Sequence, residues 1–211
     1  MKINEIYKSI QGESSFAGAP CVFVRTTFCN LRCRWCDSAY AFFEGDEQTL
    51  DTIISHVRSF KTPLVEITGG EPLLQEEVYP LVTRLLDEGF RVLIETSGSL
   101  PINRLDPRAI VIMDIKPPGS AMSHTIHWKN LAYLKAEDEV KFVISDRNDF
   151  EWAKSVIQEN PLLNNRRCNF SPVFGELPPR LLTEWILQEN MNVCLNLQLH
   201  KLIWDKEMRG V

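Results

Sequence analysis

Short apolar, β-branched runs alternate with amphipathic segments along the whole of this 211-residue chain. Runs at 21–26, 64–68, 91–95, 109–115, 139–144, 168–171 and 192–197 read as strands. Segments near 50–60, 74–88, 125–136, 149–159 and 179–190 carry the helical period between them. Asp149 reads as the N-cap of a helix over 150–158, and Gly89 as the residue that stops the helix ending at Glu88. Strands that are apolar at nearly every position need cover on both faces, which a parallel sheet flanked by helices supplies. About six such units fall short of a closed eight-unit barrel. The expected fold is therefore α/β, an incomplete (β/α)6-type barrel in which residues 1–211 form a single domain. In that architecture the chemistry collects at the C-terminal ends of the strands.

Lys plus Arg number 23 against 28 Asp plus Glu, a net charge of −5. Such a chain has no general attraction for polyanions, so neither nucleic acid nor a membrane is an expected partner. No apolar run approaches the ~20 residues of a membrane span, and Met1-Lys2-Ile3-Asn4-Glu5 opens no secretory signal. A cytoplasmic setting is the expectation.

Six cysteines stand at 21, 29, 33, 36, 168 and 194. Clustered cysteines in a reducing compartment bind metal or do redox chemistry more often than they pair. Cys21, Cys168 and Cys194 lie in apolar or strand-like sequence and read as small hydrophobes. Cys29, Cys33 and Cys36, spaced Cys-x3-Cys-x2-Cys, follow directly on the first of the strands read above. Structural zinc wants four protein ligands, usually as two pairs, and thiolates on one tight loop suit an iron–sulfur cluster better. Three thiolates leave one metal position open for chemistry; a distant fourth ligand from Cys168 or Cys194 would close it. A second motif, Thr68-Gly69-Gly70-Glu71-Pro72, ends the next strand. Its glycines let backbone approach a ligand, Glu71 can accept from an ammonium group, and Pro72 suits the first turn of a helix. An ordinary strand-to-helix turn is the plain alternative.

The cysteine loop with Trp35 before its last thiol, followed by the Gly-Gly-Glu turn, resembles the radical S-adenosylmethionine (SAM) superfamily. The resemblance implies a 4Fe-4S cluster on Cys29, Cys33 and Cys36, with SAM on the open iron. Ile10-Gln11-Gly12-Glu13-Ser14, Gly18-Ala19-Pro20-Cys21, Trp35-Cys36-Asp37-Ser38, Glu95-Thr96-Ser97-Gly98, Met113-Asp114-Ile115-Lys116, Phe170-Ser171-Pro172 and the tail from Leu197 narrow it. Over essentially the whole chain they resemble the 7-carboxy-7-deazaguanine synthases, which contract 6-carboxy-5,6,7,8-tetrahydropterin with loss of ammonia on the way to queuosine. In that chemistry a 5′-deoxyadenosyl radical takes a hydrogen from C6, the ring rearranges, and SAM is regenerated. None of these motifs offers an evident general acid for ammonia loss.

Carried over residue by residue, the resemblance implies that Ile10, Gln11, Gly12, Arg25, Thr96 and the C-terminal Val211 bind substrate. It implies that Ser38 ligates Mg²⁺, where many relatives have Thr. Gly69, Gly70 and Glu71 hold the SAM amino group by the same resemblance. Its other SAM contacts fall on Trp35, Cys36, Asp37, Gly98, Asp114, Ile115, Lys116, Ser171, Pro172, Val173 and Phe174. Some relatives read Ser-Pro-Lys at 114–116. On chemistry alone Arg25 offers a planar fork to a carboxylate, or stands as an ion-paired strand residue. The Asp37-Ser38 pair also suits a cap for a short turn, and Pro117-Pro118-Gly119-Ser120 reads as a flexible loop over the site.

An electron donor such as flavodoxin and a homodimer packed through 195–204 are further implications. His56, His124, His127 and His200 show no ligand spacing, and Trp128, Trp152, Trp185 and Trp204 read as core or interface. The cysteine loop alone also suits an activase of glycyl-radical enzymes or a non-catalytic metal-binding protein. Gln11, Gly12 and Arg25 favour a small carboxylate instead.

Overall fold

The computed structural model describes residues 1–205 and 208–211. Its nine-stranded sheet runs β3-β1-β2-β4-β5-β6-β7-β8-β9. The strands are β1 (Lys2–Ile10), β2 (Pro20–Thr26), β3 (Asp46–Glu47), β4 (Leu64–Gly69), β5 (Arg91–Thr96), β6 (Ile110–Asp114), β7 (Glu139–Ile144), β8 (Arg167–Pro172) and β9 (Cys194–Leu195). From β2 through β9 every pairing is parallel, while β1 joins β2 and β3 antiparallel at one edge. The sheet stays open, as an incomplete barrel requires.

The outer face of the sheet packs on α1 (Leu50–Ser59), α2 (Val78–Asp87), α3 (Arg147–Glu159) and α4 (Pro179–Gln188). Val65, Ile67, Val92, Ile94, Met113 and Phe142 meet Ile53, Leu81, Leu85, Phe150 and Leu182 in one buried core. A second, smaller core of Cys21, Phe23, Leu64, Leu93, Ile110 and Ile112 lies apart from it. Because strand side chains alternate, Val22 and Val24 serve the first core while Cys21 and Phe23 serve the second.

The structure corrects five sequence expectations. The N-terminal β1 was absent from the strands expected; only one of its nine residues is fully buried, so it carries no continuous apolar run. Residues 125–136 form 3-10 turns at Ser123–Thr125 and Trp128–Tyr133 instead of an amphipathic helix. Asp146, not Asp149, caps α3, accepting from the Asp149 backbone N–H at 3.0 Å. The freed Asp149 carboxylate holds Gly119 N at 2.8 Å and Ser145 Oγ at 2.6 Å. Pro117–Ser120 is therefore a pinned turn with Ser120 buried. The strand expected over 192–197 shrinks to Cys194–Leu195.

Trp152 and Trp185 pack partly buried against the main core, whereas Trp128 is half-exposed. The tail ends in the short α5 (Leu199–Ile203), with Leu202 and Ile203 exposed.

Candidate active site

The C-terminal ends of the strands open onto a cavity of about 740 Å³. Strand alternation layers its wall. The second core makes an apolar floor on which the Tyr7 and Phe23 rings stack 5.1 Å apart. Glu66 of β4 lies at the level of this floor, and above it stand Arg25 of β2, Thr68 of β4, Glu95 of β5, Asp114 of β6 and Lys141 of β7. The loop of Cys29, Cys33 and Cys36 borders the same space.

Lys141 is the hub of this polar layer. Its Nζ lies 2.8 Å from Glu13 Oε2 and 3.5 Å from Asp114 Oδ2, and it also pairs with Glu95 Oε1. Burial opposes the charge, but Glu13, Glu95 and Asp114 together hold the Lys141 ammonium well above its ordinary range. Against the same burial, Lys141 and the Thr68 hydroxyl draw Glu95 down to about 2. Glu66 goes the other way: burial first, then the Glu95 and Glu13 charges, push its carboxyl well up. The Gln11 side-chain amide donates to Glu66 Oε2.

Arg25 is held in the cavity by Glu5, which accepts from Nε at 2.8 Å, and by Tyr7 Oη, 3.0 Å from Nη2. Arg25 is thus an ion-paired strand residue that also lines the cavity. Lys116 donates to Asp114 Oδ2 at 2.8 Å. The other oxygen, Asp114 Oδ1, is buried and among the described residues has no hydrogen-bond partner. Such an atom calls for a donor from a bound molecule.

The three loop cysteines are unpaired and half-buried, and burial raises Cys29 and lifts Cys33 to about 11. The Gly-Gly turn acts on this loop directly. At Gly70 a Cβ would overlap the Phe28 carbonyl and crowd Cys29, and at Gly69, with φ +125°, it would strike the Thr26 backbone. Gly70 N donates to Thr26 O at 3.2 Å and Glu71 N to Phe28 O at 2.8 Å. The glycines therefore let β4 lie against the start of the cysteine loop, and both also line the cavity.

Glu71 does not line the cavity. Fully buried, its carboxylate accepts from Thr96 Oγ1 and Ser97 N at 2.8 Å, Ser97 Oγ at 2.5 Å and Leu73 N at 3.1 Å. It braces the turn that carries Thr96 and Gly98. Ser38 heads the short turn Ala39–Phe42 without a side-chain capping bond, and its Oγ lies 4.0 Å from Cys36 Sγ. Asp37, half-exposed, accepts from Lys201 Nζ at 2.6 Å, and this ammonium draws it to about 2.

Gln11, Gly12, Arg25, Trp35, Asp37, Ser38, Thr96, Asp114, Lys116, Val173, Phe174 and Val211 meet in the one cavity with the cysteines. Ile10, Gly98, Ile115, Ser171 and Pro172 stand behind its wall; Ile115 belongs to the main core and Ser171 Oγ accepts from Asn196 Nδ2 at 3.0 Å. The wall also holds Tyr7, Glu13, Glu66, Glu95, Lys141 and His200, which the sequence reading passed over. Three of these carried a signal, namely a charge inside an otherwise apolar strand: Val-Glu66-Ile, Ile-Glu95-Thr and Val-Lys141-Phe.

The residues present fit a polynuclear cluster with a nucleoside beside it. Among the described residues no three His, Cys, Asp or Glu side chains converge tightly enough for a single ion. Thiols held apart on one rim suit a cluster whose irons take one thiolate each. The orphaned Asp114 Oδ1 supplies an acceptor for a hydroxyl next to that rim.

Comparison with known proteins adds the rest. Residues 23–113 match the family model of the Radical SAM superfamily. The chain is 46% identical over 214 residues to a protein of Chlorobaculum tepidum named 7-carboxy-7-deazaguanine synthase, covering 100% of this chain and 97% of that one. It is 44% identical over 226 residues to a protein of the same name from Koribacter versatilis, covering 100% of both. The crystal structure of QueE from Escherichia coli superposes with a TM-score of 0.79 over 94% of each chain at 23% identity, a likeness of fold.

Proposed function

From the chain's membership of the 7-carboxy-7-deazaguanine synthases, radical SAM enzymes that carry a 4Fe-4S cluster and SAM, we propose how its own side chains serve the ring contraction. The reaction converts 6-carboxy-5,6,7,8-tetrahydropterin to 7-carboxy-7-deazaguanine with loss of ammonia in queuosine biosynthesis. Cys29, Cys33 and Cys36 would hold the cluster, which with SAM supplies the one-electron chemistry that starts hydrogen abstraction. Asp114 Oδ1 receives a ribose hydroxyl of SAM, and Lys116 fixes that carboxylate through Oδ2. Trp35, Asp37, Gly69, Gly70, Val173 and Phe174 complete the SAM side of the cavity. Gly98, Ile115, Ser171 and Pro172 support it from behind. Glu71 positions Thr96 and Gly98 through the bonds to Thr96 Oγ1 and Ser97.

Arg25, preset by Glu5 and Tyr7, turns its guanidinium to the substrate carboxylate. Gln11, Gly12, Thr96 and Val211 surround the ring, with Ile10 supporting them from behind, and the Ser38 hydroxyl, which makes no capping bond, would ligate a Mg²⁺ shared with substrate. The apolar floor, with the rim of Trp35, Phe42 and Phe174, excludes water and stray hydrogen donors.

We further assign a homodimer through the tail, where Leu195, Leu202 and Ile203 are exposed. The electron donor is of the flavodoxin type, the residues form one domain, and the setting is the cytoplasm. No helix among the described residues is long and apolar enough to cross a membrane.

One observation carries the reading: three unpaired thiols and a charged layer that includes Arg25 face a single cavity. Anaerobic incubation with dithionite, SAM and the carboxytetrahydropterin tests it, the expected product being the deazaguanine chromophore. Undiminished turnover by Arg25→Ala would remove Arg25 from substrate binding, whereas no product from the native enzyme would favour an activase.

A further inference from the structure

Among the described residues, the carboxylates around the cavity each face a cation, with one exception. Glu95 is paired with Lys141 through Oε1 and accepts from Thr68 Oγ1 at 2.9 Å through Oε2. Glu13 spends Oε2 on Lys141 and accepts from Gln198 Nε2 at 2.9 Å on Oε1. Asp114 faces Lys116 and Lys141, and Glu5 faces Arg25. Glu66 lines the same cavity at 3% exposure with only the Gln11 amide on Oε2, and among the described residues it forms no ion pair.

Its level in the barrel is informative. Register sets Glu66 beside Phe23 of β2 and Leu93 of β5, at the apolar floor where the Tyr7 and Phe23 rings stack. A flat ring resting on that floor meets a carboxyl at its edge. The geometry of two carboxyl oxygens suits two parallel N–H donors, the arrangement a guanidinium offers and a 2-amino-4-oxopyrimidine shares through its amino group and N3–H. Burying an acid without a cation is costly, and the cost falls when a ligand brings donors to it.

We propose that Glu66 is a specificity-determining residue, whose carboxyl receives the 2-amino and N3–H donors of the substrate's pyrimidine ring. This rests on the ring-contraction reading and deepens it. The remaining polar layer then faces the reduced half of the molecule, where the carboxylate sits and the bonds change. Replacing the acid by its amide turns an N–H₂ group toward one of the two donors, and the same amide matches a 2-oxo ring.

The test is a cycle between residue and ligand. Holoenzyme and its Glu66→Gln variant are titrated with the carboxytetrahydropterin and with its 2-oxo counterpart by calorimetry, and kcat/KM is measured for both. The native enzyme is expected to prefer the 2-amino ligand at least tenfold. E66Q is expected to lose at least tenfold in affinity for it and to shift the preference ratio by tenfold or more. SAM affinity, measured alongside, stays within twofold because Glu66 lies at the level of the apolar floor, beside Phe23 and Leu93. Glu66→Asp, which keeps the acid one methylene back, weakens binding but keeps the 2-amino preference. That variant carries the test if E66Q fails to fold, and its loss of preference would then overturn the proposal. A ratio moved by less than tenfold in folded E66Q, whatever its affinity, overturns the inference alone. Failure of the native enzyme to turn over the carboxypterin would overturn the functional reading and this proposal with it.

Discussion

Replacing Lys141 by Met removes the one cation that serves three carboxylates, and the structure allows the cost to be worked. Its side chain is 6% exposed, against 16% for Glu13, 28% for Glu95 and 9% for Asp114. At 2.8 Å and an effective dielectric of about 20, the Glu13 contact alone is about 6 kcal/mol in gross Coulomb energy. Desolvation of the ammonium and residual solvent at the carboxylates take back much of that, and unpairing a buried charge typically costs about 3–5 kcal/mol net. The displacement of Glu95 from 4.5 to about 2 leads to a similar figure, roughly 3 kcal/mol at about 1.36 per unit. For a chain of this length the melting temperature of Lys141→Met should fall by about 6–12 °C at pH 7.

The pH dependence separates this account from simple loss of packing. Glu95 is depressed in the folded protein, so its contribution is present above 4.5 and is lost as pH falls toward 2. Lys141 is raised, so its contribution is fully present below 10.5 and is lost only as pH rises beyond that. In the Met variant Glu95 returns to at least its ordinary value, and acidification below pH 4.5 neutralises the unpaired charge. The gap between variant and native enzyme should therefore narrow by about a quarter or more between pH 7 and pH 4. Anaerobic scanning calorimetry at fixed ionic strength reads both. A fall under 2 °C at pH 7, or a gap that does not narrow, would refute the charge-hub account.

Gly70→Ala forces a Cβ into the Phe28 carbonyl and should cost about 1–3 kcal/mol; iron and sulfide retained after anaerobic reconstitution should drop at least twofold, and full retention would contradict the packing role given to this glycine. Asp114→Asn keeps the shape but weakens the Oδ1 acceptor, so SAM affinity by calorimetry should fall about tenfold, equivalent to roughly 1.4 kcal/mol. Asp146→Ala removes the α3 cap at a cost of about 1 kcal/mol, a melting shift of about 2–4 °C, whereas the same change at Asp149 should also loosen the Pro117–Ser120 turn, seen as faster amide exchange at Gly119.

The alternation of strand and helix, the parallel sheet, the cysteine loop and the Gly-Gly-Glu turn were all legible in the chain, because each depends on spacing within a few residues. Glu139–Ile144 is a strand with the bounds its composition implied, whereas Lys2–Ile10 is one only because β2 lies beside it. The site divides the same way. Cys29, Cys33 and Cys36 announce a metal by spacing alone. Nothing local says that Lys141 meets Glu13, 128 residues away, or that Glu71 turns inward to Ser97. Nor does local sequence show that Gly70 is small for the sake of Phe28.

Local sequence thus determined which residue types are available and how the chain is partitioned, since propensity and periodicity act over one or two turns. Tertiary structure alone decided which charges share the cavity and which are left without a cation. Ion pairing and burial depend on distances that exist only once the strands stand side by side.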